Sequence, residues 1–310
     1  MSSRFLSDAA PDPSADASVV TASCLASAQF DLVEVSPPVG ALRALLRGAS
    51  YGAAHEPGGA QAAHRPGYSW AELTSRVLCS DAQLRAGLQR CNALLLHDRW
   101  LTLETTYARR LLQLLILTAQ QHGWALDAVP EEAMVDSLTV DGCEPDVARH
   151  VLKSFCAPSD AGFVAASESL AYEHSCALDA RLVCTEQARA LLERAPRWRA
   201  SEFQAAWEAS VPEGWRCDPA WLSGEAVEEG AGGERWLCAF PASQLPTGAQ
   251  QCFGALFARK PRWTREEMEP YLGEVEEAGA TVEGLLLAWC RKTQATERDT
   301  PVYTLRHTAA

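Results

Sequence analysis

The chain has 310 residues, 47% of them hydrophobic and 22% charged, with 27 Lys and Arg against 40 Asp and Glu for a net charge of −13. That is length for roughly two or three domains, and the ten tryptophans can support a sizeable core. An acidic chain repels phosphate, which excludes nucleic-acid binding by bulk charge and leaves any DNA contact to a local basic face.

Residues 1–18 read as a disordered lead. Short β-like runs follow, above all Phe30 to Val35 (FDLVEV), where apolar and acidic residues alternate at period two. Pro37 and Pro38 end that run, and VGALRALLRG reads as a helix. Residues 52–67 are rich in Gly, Ala, His and Pro and read as a flexible loop. Ser69-x-x-Glu72 and Ser80-x-x-Gln83 are capping boxes, in which two side chains each satisfy an orphan backbone N–H, and they open SWAELTSRVL and DAQLRAGLQRCN. Ala93 to Leu103 sets two apolar runs around His97-Asp98-Arg99, which predicts a β-hairpin or a strand joined to a loop. A long helix, Glu104 to His122, closes the unit. Helix, helix, hairpin, helix is the outline of a winged-helix module, an outline many small domains share.

The same grammar recurs. TEQARALLERA reads as a helix, Ser201-x-x-Gln204 as the box that opens EFQAAWEAS, and WLCAF as a strand after the Gly230 to Gly233 turn. Thr264-x-x-Glu267 opens another helix. A further helix is expected from Thr281 to Gln294, and a last strand from Val302 to His307. Two helices, PEEAMVDSL and EPDVARHVLKSFC, fall between the first two units. The expected fold class is α+β, mostly helical, with tandem winged-helix domains.

Catalytic chemistry finds no purchase in this pattern. There is no G-x-S-x-G, no catalytic cysteine signature, no G-x-x-x-x-G-K-[ST] and no G-x-G-x-x-G after a strand. The eleven cysteines include no C-x-x-C pair, so the closely spaced ligands of structural zinc sites are missing. They read as reduced, small core residues of an intracellular protein. Glu228-Glu229 and the Glu274, Glu276, Glu277 cluster lack the alternating oxygens of an ion loop and read as solvated faces. No enzyme activity, metal or cofactor is expected. Residues 1–29 lack a signal-peptide pattern, and the longest apolar stretch, Arg109 to Ala119, is far short of the ~20 residues of a bilayer span.

One basic concentration stands out: Arg259, Lys260, Arg262 and Arg265, followed by Arg291, Lys292 and Arg298. These are the candidate DNA contacts, able to release counterions from phosphates. Glu266, Glu267 and Glu269 lie close enough in sequence to compete for them. Trp263, just before the capping threonine, reads as a core staple more than a base-stacking platform.

Several stretches resemble one family. RWTREEMEPYLGEV with LLLAWCRKT and VYTLR, EFQAAWEASVPEG, CNALLLHDRWLTLETTYARRLLQLL, and EEAMVDSL with EPDVARHVLKSFC run in family order from about Leu42 to Arg306. Together they resemble the Dcc (defective in sister chromatid cohesion) subunits of the cohesion-specific replication factor C clamp loader. The resemblance implies a lead and shortened β-barrel remnant over 1–41, with winged helices over 42–126, 127–256 and 257–310. Phe30, Leu32, Val33 and Val35 would then belong to a partner-binding barrel strand. The β-rich part is abbreviated, since only FDLVEV and SVVTASCL stand ahead of the first helix, whereas a barrel closes with several strands.

The resemblance further implies a non-catalytic, nuclear subunit. Its partners would be the large ATPase subunit, a small companion, polymerase epsilon, DNA and, indirectly, PCNA. Such a subunit would serve clamp loading or unloading at replication forks and cohesion. A free-standing winged-helix DNA-binding regulator is the alternative, and a hydrolase with a cryptic Cys/His site a third reading.

Overall fold

The computed structural model describes residues 39–61, 66–157, 175–230, 234–273, 275, 281–294 and 300–306. The chain divides into two compact units, 1–34 and 35–310. All described residues belong to the second. The candidate strand residues Phe30, Leu32, Val33 and Val35 lie outside the described residues, as does Arg298.

The fold is mixed α/β, mostly helical, and a single element order passes along it four times. The first pass is α1 (Val39–Arg47), β1 (Ser50–Tyr51), α2 (Trp70–Arg76), α3 (Asp81–Arg90), β2 (Leu94–Leu96) and β3 (Arg99–Leu103). The second is α4 (Thr105–His122), β4 (Val129–Pro130), α5 (Glu131–Val140), α6 (Pro145–Ser154) and β5 (Ser175–Cys176). The third is α7 (Ala180–Arg194), β6 (Arg197–Arg199), α8 (Ala200–Glu208), a 3-10 turn (Pro219–Leu222), β7 (Ala226–Glu229) and β8 (Trp236–Ala239). The fourth is α9 (Ala249–Arg259), β9 (Trp263–Thr264), α10 (Arg265–Leu272), α11 (Val282–Trp289), β10 (Cys290–Thr293) and β11 (Val302–Leu305). In the first, third and fourth passes the last strand lies in the middle of its sheet, in the orders β1-β3-β2, β6-β8-β7 and β10-β11-β9. In the second, β4 pairs with β5.

Each pass has its own buried cluster. Leu42, Leu46, Leu73, Val77, Leu84 and Leu88 join α1, α2 and α3. Leu111, Leu115, Met134, Leu138, Val147 and Val151 join α4, α5 and α6, and the same core takes in Tyr51, Leu94, Leu96 and Leu101, so the first two passes share it. Phe203, Trp207, Leu222 and Leu237 centre the third, and Phe253, Leu256, Trp263, Met268 and Tyr271 the fourth.

Local chemistry explains the clearest elements. The Ser69, Ser80 and Thr264 boxes form as expected, each hydroxyl accepting from the N–H three residues on. The hairpin forms because His97 and Asp98 both adopt left-handed backbone, with φ of 50° and 62°, which suits the twist of a two-residue hairpin loop. Gly123, at φ 68°, ends α4 in the left-handed cap that glycine adopts without strain.

Four expectations need correction. Ser201 caps nothing: β6 runs straight into α8, and the Ala200 N–H donates to the Arg235 carbonyl instead of to a side-chain cap. The helix expected through Gln294 stops at Trp289, because Cys290 turns extended and β10 pairs with β11, with Cys290 opposite Leu305 and Thr293 opposite Val302. Residues 52–61 of the loop read as flexible are tied down. There Tyr107 Oη donates to Glu56 Oε1 at 2.7 Å, the Gly52 N–H donates to His55 Nδ1 at 3.1 Å, and Tyr51 stacks on His55. Finally, not all cysteines are reduced: Cys156 and Cys176 form a disulfide across 20 residues of sequence.

Candidate functional site

The candidate basic residues meet on the fourth pass, and the sheet sorts them into two groups. Trp263 anchors the region. It is buried, its indole N–H donates to the Leu256 and Lys260 carbonyls at 3.1 and 2.8 Å, and its ring fills the core as the staple reading requires. Thr264 then caps α10, which fixes where Arg265 leaves the helix.

Arg259 and Lys260 form the first group, and neither is a free cation. Arg259 Nη2 lies 2.8 Å from Glu229 Oε1, an ion pair that ties α9 to β7. Its Nε is buried without a hydrogen-bond partner. Lys260 Nζ lies 2.7 Å from Glu267 Oε1 and 5.3 Å from the Trp263 ring centroid. Burial alone would raise the Glu267 carboxyl, but hydrogen bonds from Lys260 and from Thr264 outweigh it and hold the group below its ordinary 4.5. A phosphate would have to displace carboxylates that already satisfy both cations.

Arg262, Arg265, Arg291 and Lys292 form the second group. All four are exposed, and among the described residues none has a carboxylate within ion-pair distance. Arg262 and Arg265 flank β9, whereas Arg291 and Lys292 lie on β10, two strand spacings or about 10 Å away across the sheet. Arg291 and Lys292 are neighbours on one strand, so they project to opposite faces. The exposed positions of α11 are Glu283, Gly284, Leu287 and Ala288. That helix face carries no positive charge, so basic chemistry on this pass belongs to its strands and their approaches.

Two features escaped the sequence. One is a partly buried ion network that joins the second and third passes. Arg109 on α4 donates to Glu186 at 2.9 Å and to Glu193 at 2.9 Å, and Arg189 reaches both Glu186 and Glu225. These side chains line a cleft of about 770 Å³ together with Asn92, Thr105 and Ser223. Nothing in the spacing predicts a pairing 77 residues apart. The other is an aromatic and arginine cluster on the first pass, whose arginines stand one or two to an element and form no run.

Where a described thiol is shifted, it is shifted upward. Burial pushes Cys143 and Cys252 up to about 11 and Cys217 and Cys290 up to about 12, the opposite of what a nucleophilic thiolate needs. Among the described residues no group of three or more His, Cys, Asp or Glu side chains is placed to hold a metal ion. No described helix is long and apolar enough to cross a membrane.

Together these features define a mixed α/β protein of repeated helix-and-strand passes that presents charged surfaces. A sequence model of the family described as Sister chromatid cohesion protein Dcc1 matches residues 4–272. Sister chromatid cohesion protein DCC1 of Mus musculus is 28% identical over 232 residues, 74% of this chain and 55% of that protein. The Homo sapiens protein of the same name is 28% identical over 218 residues, 69% of this chain and 53% of its own. Probable sister chromatid cohesion protein DCC1 of Dictyostelium discoideum is 22% identical over 241 residues, 73% and 63%. The chain belongs to the Dcc1 family. It spans about half the length of the first curated relatives it matches.

Proposed function

We propose that this chain is a non-catalytic subunit of the alternative clamp loader and serves sister chromatid cohesion in the nucleus. The family match over residues 4–272, with relatives named for cohesion, is the observation that carries the reading. Its partners in this reading are the large ATPase subunit and the small companion of the loader, polymerase epsilon, DNA and, through the loader, PCNA. ATP hydrolysis belongs to the partner ring, in keeping with a sequence that carries no phosphate-binding loop.

The recurring order of helix, strand, two helices or a helix and a turn, then one or two strands supports the proposed winged helices over 42–126, 127–256 and 257–310. Phe30, Leu32, Val33 and Val35 are proposed as the barrel strand that joins the partners. Of the basic candidates, the exposed Arg262, Arg265, Arg291 and Lys292 are best placed for phosphate contact. Arg298 is proposed with them, and Arg259 and Lys260 only in a secondary role, since both are already paired. In this reading DNA is met by the strands and their loop, because the exposed face of α11 is acidic and apolar.

Co-purification with the C-terminal tail of the large subunit and the small companion tests the assignment. A stable ternary complex is expected. A folded chain that binds neither partner would overturn it.

A further inference from the structure

Two clefts meet at one exposed turn. Between the third and fourth passes the chain makes a 3-10 turn, Ala242–Gln244. The Ala242 N–H donates to the Gly224 carbonyl at 2.7 Å, and the Gln244 and Leu245 N–H groups donate to the Pro241 and Ala242 carbonyls at 3.1 Å. Ala242 and Leu245 pack against the core of the fourth pass. Ser243 and Gln244 are left exposed, and both line a cleft of about 490 Å³ that α1 of the first pass lines as well.

Arg43 and Arg47 are the cations of that cleft. They stand four residues apart on α1 and so share a helix face, where like charges repel. Arg47 is exposed and has no ion-pair partner among the described residues. Glu104 is the one carboxylate lining the cleft with them, which leaves a net positive charge. Its side chain does not cap α4, so the first N–H groups of that helix, at Thr105 and Thr106 of the same cleft, have no side-chain acceptor. Ser243 also lines the larger cleft of about 770 Å³, but there Arg109 and Arg189 are already held by Glu186, Glu193 and Glu225. This favours the α1 side as the place where a new anion is met.

Ser243 is also the hydroxyl of this cleft that an enzyme can reach. Its side chain makes no hydrogen bond among the described residues. The other hydroxyls, on Ser50, Thr102, Thr105 and Thr106, belong to β1, β3 and α4, so a kinase reading an extended segment would first have to undo a strand or a helix. Residues 240–248 are in neither α-helix nor strand, and straightening the turn breaks only its three backbone hydrogen bonds.

We propose that Ser243 is a phosphorylation site and that Arg43 and Arg47 receive its phosphate. A protein kinase transfers the γ-phosphoryl group of ATP to Ser243 Oγ. The new P–O bond forms as the bond to the β-phosphate oxygen breaks, ADP leaves, and the hydroxyl proton passes to the kinase's base. The product places about −1.5 to −2 charges and three acceptor oxygens on a turn fixed to the fourth pass. Paired with α1, it clamps the fourth pass onto the first, where Arg90 already donates to the Gly273 carbonyl at 3.1 Å. The site uses none of the candidate DNA contacts and stands without the cohesion reading.

The test starts with peptide mass spectrometry of the full chain purified from its own dividing cells with phosphatase inhibitors, which should find phosphate on Ser243. The full chain is then made with phosphoserine installed at that position. Phosphorus NMR should show its second pKa lowered from about 6 by about half a unit or more, as neighbouring cations favour the dianion. Its Tm should rise by about 2–5 °C, for one or two charge-assisted hydrogen bonds in a chain of this length. Arg43→Ala with Arg47→Ala should remove both effects. Arg43 is half-buried, so Arg47→Ala alone, at an exposed position, keeps the test readable and should remove part of the pKa shift.

Three results would overturn the proposal. They are a Ser243 peptide that never carries phosphate, a phosphoserine whose pKa stays at about 6, and a shift that persists in both arginine variants. A shift lost only with Arg181→Ala is the last of these, and it would put the phosphate in the larger cleft, which Arg181 lines. Failure of the clamp-loader co-purification bears on none of them.

Discussion

Replacing Arg109 by methionine removes the cation that holds α4 against α7. The Arg109 side chain is 14% exposed and its partner Glu186 12%, so both charges are largely withdrawn from water. Breaking a buried pair by deleting one partner costs about 3–5 kcal/mol, because the other charge is left uncompensated. Glu186 keeps Arg189 at 3.2 Å and Glu193 is more than half exposed, which places the expected loss near the lower end, about 3 kcal/mol. At about 2.1 cal/mol/K per residue, a chain of 310 residues would show a fall in Tm of about 5 °C. Urea unfolding followed by tryptophan fluorescence measures the loss directly. Adding Glu186→Met to the same chain should return part of it, since the orphaned carboxylate goes while Arg189 keeps Glu225. A double-mutant cycle should then give a coupling of about 1–3 kcal/mol. An Arg109→Met variant within about 0.5 kcal/mol of the native chain, the range of an ordinary surface substitution, would refute the reasoning.

Other expectations are smaller or simpler to read. Thr264→Ala should cost about 1 kcal/mol in unfolding measurements through loss of a helix cap, whereas Ser201→Ala, which caps nothing, should stay within about 0.5 kcal/mol. The Lys260–Glu267 pair has a carboxyl held below 4.5, so its stabilisation is present above that pH and disappears as pH falls through the lowered value. With both partners about a third or more exposed, Lys260→Met should remove only about 0.2–1 kcal/mol at neutral pH and nothing in acid, as pH-dependent melting would show. Peptide mapping without reductant should recover Cys156 joined to Cys176, and reduction should lower stability by about 3 kcal/mol through the loop it releases. Among the described free cysteines of the native chain a thiol reagent should reach Cys79 and Cys91 first, with Cys143, Cys184, Cys217, Cys238, Cys252 and Cys290 reacting only on unfolding.

What could be read from the sequence was what local chemistry decides. The boxes at Ser69, Ser80 and Thr264 and the His97-Asp98 turn each form from residues within four positions of one another, so their pattern is complete in the chain itself. Ser201-x-x-Gln204 has the same letters and fails because β6, paired to β8 through Arg199 and Trp236, carries the chain into α8 at Ala200 and so leaves Ser201 inside the first turn. The expected boundaries, 42–126, 127–256 and 257–310, put α4 at the end of the first unit, and α4 packs in a core that takes in Leu94 and Leu101 before it as well as Met134 and Val147 after it. An apolar helix between two modules looks alike whether it closes one or opens the next.

The candidate site divides in the same way. Arg259 through Arg265 were legible as a run, but which of them are spent on Glu229 and Glu267 depends on tertiary contacts. Arg76, Arg85 and Arg99 were passed over because they are spread across 24 residues and converge only when α2, α3 and the hairpin pack together.

The central claim is that this chain is a clamp-loader subunit, and reconstitution tests it most directly. The full chain is mixed with the tail of the large subunit and the small companion and run on gel filtration with light scattering. One peak holding all three chains in equal amounts is the predicted result. A chain that elutes alone, with its helical circular dichroism intact and both partners competent to bind each other, would contradict it.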